Sequence, residues 1–379
     1  MEPIFLTSIQ IHEVRHLKDI AIPLSLDTRK NLILTGKNGS GKTSLLESIA
    51  QSIMEAILRF DGLSEHCVTF SKPSGIEMEY HNFEKLQDKY YDGQFILAYF
   101  QDQRIMEVEA TKNIVKVDLS PYYEISDRPA RNLAKYMVNL KTTQAFALNE
   151  GNQARAEEIG EWFRRFENIL RTIYEDNSLK LNFDIENFQF TITVDDREPF
   201  DFNTMSAGYA AVFDIIGNLM MRMESQRRYD LEGIVLIDEI ETHLHVELQK
   251  KIVPILKELF PNIQFIMTTH SPFILNSAEN AVIYDLEKKM LVKDGLTNLP
   301  YEGIVEGYFG ADRLSQELRD KFDRYRALAA KEKLTDEEYA ETAELETYLD
   351  EVPDYLALDI AAEYSRLKLE LENRGALDG

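Results

Sequence analysis

The 379-residue sequence contains one cysteine, no long apolar run and far fewer basic than acidic residues. The single cysteine, Cys67, excludes an internal disulfide and suits a reducing cytoplasm, and we expect it to be a small core residue. No stretch approaches the roughly 18 apolar residues that a membrane-spanning helix needs. The opening residues MEPIFLTSIQIHEV lack the basic and apolar segments of a secretory signal. These absences predict a cytoplasmic protein without a membrane partner.

The chain also lacks the positive charge of a general nucleic-acid binder. It has 42 lysines and arginines against 66 acidic residues, a net charge of −24. This charge opposes non-specific binding to nucleic acids and to anionic membranes. Arginine pairs at 164–165 and 227–228 could contact nucleic acid, although a solvated charged face is the favoured interpretation. Nucleic acid is therefore a possible ligand, not the expected main one.

The apolar pattern predicts an α/β fold. IFLTSIQIHEV and IAIPLSL alternate apolar and polar residues, which indicates two N-terminal antiparallel strands. GIVLIDEIE and QFIMTTHSPFIL contain the continuous apolar runs of parallel strands that are buried on both faces. LKLNFDI and FQFTITVDD predict a hairpin. We expect a mixed core sheet with added N-terminal antiparallel strands.

The same pattern predicts four parts. The first lobe covers residues 1–125 and includes a peripheral insertion at about 62–93. A helical insert follows over 126–178, and a second lobe covers 179–298. The last part, 299–379, is predicted to be an acidic helical extension.

A phosphate-binding loop is the strongest motif. GKNGSGKT fits G-x-x-x-x-G-K-[ST] and lies between an apolar strand and an apolar-periodic helix. Lys42 is predicted to meet the β- and γ-phosphates of a bound nucleotide, and Thr43 to ligate Mg²⁺. A tight turn that merely needs glycine would not require the Lys-Thr pair. The predicted phosphate contacts are Gly36, Asn38, Gly39, Ser40, Gly41, Lys42, Thr43 and Ser44.

Further polar residues follow the ends of two other apolar strands. Asp238 is predicted to hold Mg²⁺, and Glu239 to orient or deprotonate the attacking water, because ligands gather at the carboxyl ends of parallel strands. His270 ends the next strand and is predicted to contact the γ-phosphate or the water. We therefore assign Glu239, His270 and Lys42 as catalytic. Structural roles, a strand end capped by acids or a structural histidine, are the alternatives.

The segment ETHLH after the acidic pair permits three interpretations. Glu241, His243 and His245 have the residue types of a transition-metal site, but the spacing alone is weak. A loop that contacts another subunit is the favoured interpretation. A plain structural role is the third.

The stretch FNTMSAGYAAVF also has two interpretations. Ser206 is a good N-cap for the helix AGYAAVFDIIGNLMMRM, which is the simpler interpretation. A serine followed by Gly208 at a helix start is also an anion site. A second phosphate site would be redundant within one subunit but not between two.

Together these motifs resemble the ATP-binding-cassette class of P-loop ATPases, over roughly residues 1–50 and 94–298. In that class the signature serine of one subunit contacts the γ-phosphate held by another, and two ATPs lie between the subunits. The resemblance implies that Ser206 and Gly208 bind nucleotide in a homodimer or a higher even-numbered homo-oligomer.

DEIETHLHVELQ, TTHSPFIL and MSAGY resemble the branch of structural-maintenance, RecF and overcoming-lysogenisation-defect ATPases. The resemblance implies a glutamine near the nucleotide and Mg²⁺, for which Gln103 and Gln101 both qualify and Gln103 is assigned. Arg104 could replace it by charge. Arg15 lies near a basic position that related ATPases place beside the nucleotide, and a solvated turn arginine is the equal alternative.

The chain most resembles stand-alone ATPase subunits of bacterial anti-phage systems of the Septu type. That resemblance implies an ATPase that controls a separate effector, expected to be a nuclease. A DNA-repair clamp that binds DNA directly is the alternative. A transporter ATPase subunit is disfavoured, because its signature usually ends in glutamine.

Overall fold

The computed structural model describes residues 2–59, 75–104, 108–109, 113–299, 303–304, 316–331, 333–350 and 358–375. The chain divides into two compact units, residues 1–301 and 302–379. Cys67 lies outside the described residues. In the part of the chain that is described, no helix has the length and apolar content to cross a membrane.

The N-terminal sheet has three antiparallel strands in the order β2-β1-β4. They are β1 (Phe5–Val14), β2 (Leu17–Pro23) and β4 (Ile76–His81). The predicted pair of strands is confirmed, and Ile9 lies opposite Ile22 on one side and Met78 on the other. The peripheral insertion predicted at about 62–93 is wrong for its later part, because β4 completes this sheet. Its sequence, IEMEYH, alternates apolar and polar residues over only six positions, and nothing in it identifies β1 as its partner.

The core sheet has six strands in the order β11-β10-β3-β9-β8-β5. Their bounds are β3 (Leu32–Thr35), β5 (Phe95–Phe100), β8 (Glu232–Ile237), β9 (Ile263–Thr268), β10 (Val282–Asp285) and β11 (Met290–Val292). All neighbours are parallel except β10 and β11. The apolar runs of β3, β8 and β9 are buried almost throughout, as strands covered on both faces must be. The predicted mixed sheet is confirmed.

Helices cover the core sheet, and one of them lies between it and the N-terminal sheet. Helix α1 (Lys42–Arg59) buries Leu45, Ile49 and Ile53, at four-residue spacing, in the cluster that includes both sheets. The other helices of this region are α2 (Leu86–Tyr91), α5 (Ala207–Glu224), α6 (Val246–Gln249), α7 (Ile252–Leu259) and α8 (Pro272–Ser277).

The helical insert is present as predicted. A short 3-10 turn, Pro129–Asn132, leads into α3 (Leu133–Asn149) and α4 (Gln153–Tyr174). The Asn152 side chain caps α4 by accepting a hydrogen bond from the Arg155 amide. The predicted hairpin follows as β6 (Lys180–Asp184) and β7 (Gln189–Thr193).

The second unit contains three described helices. They are α9 (Gln316–Ala329), α10 (Asp336–Asp350) and α11 (Leu358–Gly375). Their buried side chains form a separate cluster: Phe322, Tyr325, Ala329, Leu349, Tyr364 and Leu367. The prediction of a helical C-terminal extension is thus confirmed.

Candidate functional site

Four adjacent parallel strands end at one edge of the core sheet, and four of the predicted motifs each follow one of them. The phosphate loop follows β3, His270 follows β9, the acidic pair follows β8 and the glutamine loop follows β5. Parallel strands place their carboxyl ends along the same edge. Motifs separated by as many as 230 residues therefore share one site.

The phosphate loop needs its glycines for backbone reasons. Gly36, Gly39 and Gly41 have φ values of 135°, 82° and 95°, a region that side chains disfavour. A Cβ at Gly36 would lie 2.8 Å from the Ser40 hydroxyl oxygen. Ser40 Oγ is buried and has no hydrogen-bond partner in the described structure. The loop therefore combines backbone conformations that favour glycine with one buried hydroxyl that has no hydrogen-bond partner among the described residues.

Lys42 lies at the start of α1 with its ammonium turned back over the loop. It is 5% exposed, and Nζ donates to the Gly36 and Lys37 carbonyls at 2.9 and 3.1 Å. Burial lowers the pKa of Lys42, and the carboxylates of Glu239, Glu241, Asp238 and Asp285 oppose that shift. The buried Lys42 ammonium therefore interacts electrostatically with both carboxylates of the acidic pair. Asn38, Gly39 and Thr43 are exposed, and Ser44 is buried.

The turn between β1 and β2 contacts the phosphate loop. His16 Nε2 lies 3.2 Å from the Ser40 carbonyl oxygen. Arg15 precedes it, is exposed and has a positive φ of 53°. This turn is beside the loop, so the proposed role of Arg15 near nucleotide stays a prediction.

The acidic pair is held by both neighbouring strands. Asp238 is 3% exposed, and its amide donates to the Phe100 carbonyl at 2.8 Å. The Thr268 hydroxyl donates to Asp238 Oδ1 at 2.5 Å and accepts from the Glu239 amide at 2.7 Å. Glu239 itself has a φ of 43° and is partly exposed. One hydroxyl on β9 therefore fixes both acidic residues.

Arg104 holds the loop after the acidic pair and is not a nucleotide sensor here. It is 4% exposed and donates to the carbonyls of Asp238 and Glu239, both at 2.7 Å, and of Ile240 at 3.2 Å. The Gln101 and Thr242 carbonyls lie at 3.4 Å. The alternative in which Arg104 replaces the sensing glutamine is therefore not supported, because both terminal nitrogens of its buried guanidinium donate to backbone carbonyls.

The glutamine loop leaves the choice between its two candidates open. Gln101 and Gln103 are both exposed after β5. The backbone amide of Gln103 donates to Asp102 Oδ1 at 2.8 Å, which stabilises the loop locally. The assignment of Gln103 to nucleotide and Mg²⁺ stays a prediction.

His270 is held through its backbone amide, and its ring nitrogen Nε2 makes no hydrogen bond within the described structure. Its amide donates to Glu241 Oε1 at 2.5 Å, and its Nε2 is buried without a hydrogen-bond partner among the described residues. Burial and the nearby Lys42 lower the pKa of the His270 imidazole. The next residue, Ser271, donates to Gln249 Oε1 at 2.6 Å and caps α8. A buried, unpaired imidazole nitrogen needs a partner, as a bound phosphate or water would be.

The ETHLH segment does not form a metal site. Glu241 accepts from the His270 amide, while His243 and His245 are exposed. Over the described ranges, no three histidine, cysteine or acidic side chains are grouped as a metal would require. Mg²⁺ in nucleotide sites usually uses one or two carboxylates together with substrate phosphates, so Asp238 and the Thr43 hydroxyl fit that ion.

The serine-glycine stretch begins α5 as predicted, but without the expected side-chain bond. Ser206 has the φ and ψ of an N-cap, −61° and 149°, yet its exposed side chain makes no capping hydrogen bond. A Cβ at Gly208 would lie 3.1 Å from the His243 carbonyl oxygen, so this glycine permits close packing. Tyr209 stacks on Tyr174 with ring centroids 4.0 Å apart. The stretch therefore contacts the ETHLH segment and presents Ser206 outward.

Three residues of the site were not assigned from sequence. Thr268 and Arg104 both bond Asp238, which is distant from them in sequence. Glu241 accepts a hydrogen bond from the His270 amide. The only sequence signal was the placement of polar residues at the end of an apolar run. That signal identifies candidate site residues, but it does not identify their hydrogen-bond partners.

A family model described as "AAA domain, putative AbiEii toxin, Type IV TA system" matches residues 75–276. The Septu protein PtuA of Bacillus mycoides (strain KBAB4) is 25% identical over 356 residues, which cover 85% of this chain and 47% of the relative. The Septu protein PtuA of Bacillus thuringiensis is 23% identical and covers 77% of this chain and 81% of the relative. The "Retron Ec83 probable ATPase" of Escherichia coli is 29% identical over 184 residues, or 45% of this chain and 32% of that protein. The predicted relation to Septu-type ATPase subunits is confirmed.

The match thus spans about half the length of the Bacillus mycoides relative and a third of the retron protein. Among solved structures, the SmcHead bound to the C-winged helix domain of ScpA covers 79% of this chain and 100% of its own, at 14% identity and a TM-score of 0.43. The SMC head domain from Thermotoga maritima covers 73% and 94%, at 12% identity and a TM-score of 0.38. At these TM-scores the likeness is a distant one.

Proposed function

Because this chain belongs to the P-loop AAA-domain family whose model matches residues 75–276, we propose that it is a Mg²⁺-dependent ATPase that dimerises around ATP and controls a partner effector. The observation that carries this proposal is the shared sheet edge, where a buried lysine, two carboxylates and an unpaired imidazole nitrogen meet beside a glycine-rich loop. Phosphoryl transfer needs such positioning and charge neutralisation.

The residues have separate roles in this proposal. Lys42 and the loop amides bind the ATP phosphates, while Glu239 orients and deprotonates the attacking water. His270 Nε2 hydrogen-bonds the γ-phosphate or that water. Asp238 and Thr43 hold Mg²⁺, which neutralises phosphate charge when bound. Arg104 and Thr268 keep the acidic pair in place through the bonds described above.

A second copy would complete the site. Ser206 is exposed at the start of an 18-residue helix, and its side chain makes no capping bond within its own chain. A helix start of this kind favours an anion. We propose that Ser206 and Gly208 of one subunit contact the γ-phosphate bound by another.

Partner control rests on the relatives and on two surfaces. The Septu and retron names place the relatives in systems that we take to be anti-phage defences, and we extend that role to this chain. Phe146 and Leu148, 63% and 52% exposed at the end of α3, offer one apolar contact area. The acidic C-terminal helices offer a second. The proposed effector is a separate nuclease chain.

A DNA-repair clamp is the weaker candidate, because three of the four arginines at 164–165 and 227–228 are already paired with carboxylates. Arg164 bonds Glu157, Arg227 bonds Glu158 and Arg228 bonds Asp230, at 2.7, 3.1 and 3.1 Å. Strong, salt-dependent duplex binding by the purified chain would favour the clamp over effector control.

The ATP-sandwich proposal is tested with two variants. Glu239→Gln should bind ATP, turn over slowly and accumulate as an ATP-dependent dimer in size-exclusion chromatography with light scattering. Ser206→Arg should bind ATP but remain monomeric with Mg²⁺ and ATP. Normal turnover by an isolated monomer, or by Ser206→Arg, would show that the trans contact is wrong.

The effector proposal is tested separately. The neighbouring open reading frame should encode a nuclease that co-purifies with this chain. A nuclease that neither binds this chain nor changes activity with its ATP state would refute partner control, while leaving the ATPase proposal untouched.

A further inference from the structure

The amino edge of the core sheet, opposite the nucleotide edge, contains a polar cavity. It has a volume of about 280 Å³ and is lined by residues that directly precede β3, β5, β8 and β9 or lie near them. Its charged lining residues are Arg29, Lys89, Arg228, Asp230 and Glu232. Three positive and two negative side chains leave one positive charge over, in a chain whose net charge is −24.

The excess charge is buried. Arg29 and Glu232 side chains are each 14% exposed, and that of Lys89 is 11% exposed. Arg228 and Asp230 are exposed at the mouth and pair with each other through two bonds of 3.1 and 3.2 Å. The inner part of the cavity therefore holds two cations, Arg29 and Lys89, and one carboxylate.

The short hydrogen bonds that Glu232 accepts come from groups other than Arg29. Its Oε1 accepts from the Lys89 ammonium, and its Oε2 accepts from the Ile4 amide at 2.8 Å. The Arg29 guanidinium lies 3.8 Å from Oε2. Both oxygens of the carboxylate are thus already engaged when Arg29 reaches it.

Arg29 makes no short hydrogen bond to another group in place of a bond to Glu232. Its Nη1 lies 3.5 Å from the Pro261 carbonyl and 3.5 Å from Asn262 Oδ1, and its Nε is buried without a partner among the described residues. Burial is the main cause of its lowered pKa. Buried charges are normally paired and hydrogen-bonded, so this guanidinium is under-satisfied.

We propose that this cavity binds a small oxyanion on Arg29. A guanidinium presents a planar fork of donors that matches a carboxylate or phosphate group. The volume lies below the roughly 300–1,000 Å³ of sites for drug-sized ligands, which suits an oxyanion with its waters. The bound anion supplies the negative charge that Glu232 cannot give to both cations.

The experiment must separate this site from the phosphate loop. All proteins therefore carry Lys42→Ala, which weakens phosphate binding at the loop. Thermal unfolding is followed while potassium phosphate replaces potassium chloride at constant ionic strength. Saturating phosphate should raise the Tm by about 2–4 °C. Arg29→Gln should abolish this shift, while the matched exposed variant Arg164→Gln should keep it.

A second variant protects the test from loss of folding. Glu232→Gln removes the competing carboxylate, so phosphate should bind more tightly and its midpoint concentration should fall about tenfold. A residue with only a structural role would not produce that gain. An equal shift in Arg29→Gln, or an unchanged midpoint in Glu232→Gln, would overturn the proposal.

Further titrations identify the anion. Acetate at the same ionic strength tests a carboxylate, and AMP tests a phosphate that belongs to a nucleotide. A shift with inorganic phosphate alone assigns a free ion. Shifts with all three, lost in Arg29→Gln, assign a general oxyanion site. No Arg29-dependent shift with any of the three would refute the proposal.

Discussion

The two edges of the core sheet treat buried charge in opposite ways. At the carboxyl edge two buried cations, Lys42 and Arg104, lie among the carboxylates of Glu239, Glu241 and Asp238. At the amino edge two buried cations, Arg29 and Lys89, share the single carboxylate of Glu232. The first edge has an excess of negative charge, which suits Mg²⁺, and the second an excess of positive charge. Each imbalance is one that a ligand of opposite charge would complete, as the two proposals require.

The largest expected effect concerns catalysis at the carboxyl edge. Glu239→Gln keeps the shape of the side chain but removes the base, so turnover should fall by about 10²–10⁴-fold. Phosphate release measures the rate, and a fluorescent ATP analogue checks that binding persists. Glu258→Gln, the same change at an exposed position of α7, is the control. Near-normal turnover in Glu239→Gln would remove the carboxyl edge from catalysis.

The second prediction compares one buried arginine from each edge. Arg104 makes bonds of 2.7 Å to two carbonyls, whereas the contacts of Arg29 are 3.5 Å or longer. Arg104→Met should lower the free energy of unfolding by about 3 kcal/mol, because it leaves several buried carbonyls unpaired. Arg29→Met should change it by less than about 1 kcal/mol.

Urea unfolding in phosphate-free buffer measures both variants. Arg104→Lys is the control, since it keeps the charge but cannot bond five carbonyls at once, and an intermediate loss is expected. Equal losses of unfolding free energy at Arg29 and Arg104 would mean that the two arginines are equally well hydrogen-bonded. That result would contradict the difference between the two edges.

The third prediction concerns the pH dependence of the nucleotide-free protein. The pKa of His270 is lowered by burial and by Lys42, so the unfolded chain binds its proton more readily than the folded chain. The stability linked to this group is complete above the unfolded value of about 6.5 and is lost as the pH falls towards the folded pKa. His270→Asn should reduce the fall in Tm between about pH 7 and pH 5 by one or two degrees. An unchanged slope in thermal unfolding would contradict the prediction.

The smallest effect separates two glycines of α5. A Cβ at Gly217 would meet Ala130 Cβ at an ordinary 3.6 Å, whereas one at Gly208 would lie 3.1 Å from the His243 carbonyl. Gly217→Ala should therefore gain up to about 1 kcal/mol of stability from helix propensity, and Gly208→Ala should gain less or nothing. Urea midpoints compare the two. An equal gain at both positions would show that the contact with the ETHLH segment is loose.

Local motifs were predictable from sequence, and their neighbours were not. The phosphate loop could be predicted because GKNGSGKT fixes its own chemistry within eight residues. The apolar runs around Asp238 and His270 predicted their strands, but the order β3-β9-β8-β5 depends on packing between distant segments. The pairing of Lys89 with Glu232 links residues 143 apart, and no spacing rule predicts it. Strand β4 was missed although IEMEYH alternates apolar and polar residues, because a run of six residues is short and its partner strand β1 is distant in sequence.

The Thr268 hydroxyl limits the substitutions that this site can accept during evolution. It gives its one proton to Asp238 and accepts the Glu239 amide, and its strand continues directly to His270. Valine has nearly the same shape but could do neither, and larger polar residues would not fit a position that is fully buried. Only threonine and serine offer a hydroxyl at this distance from the backbone. Active descendants of this chain should therefore vary between these two residues at position 268, however far the surrounding surface diverges.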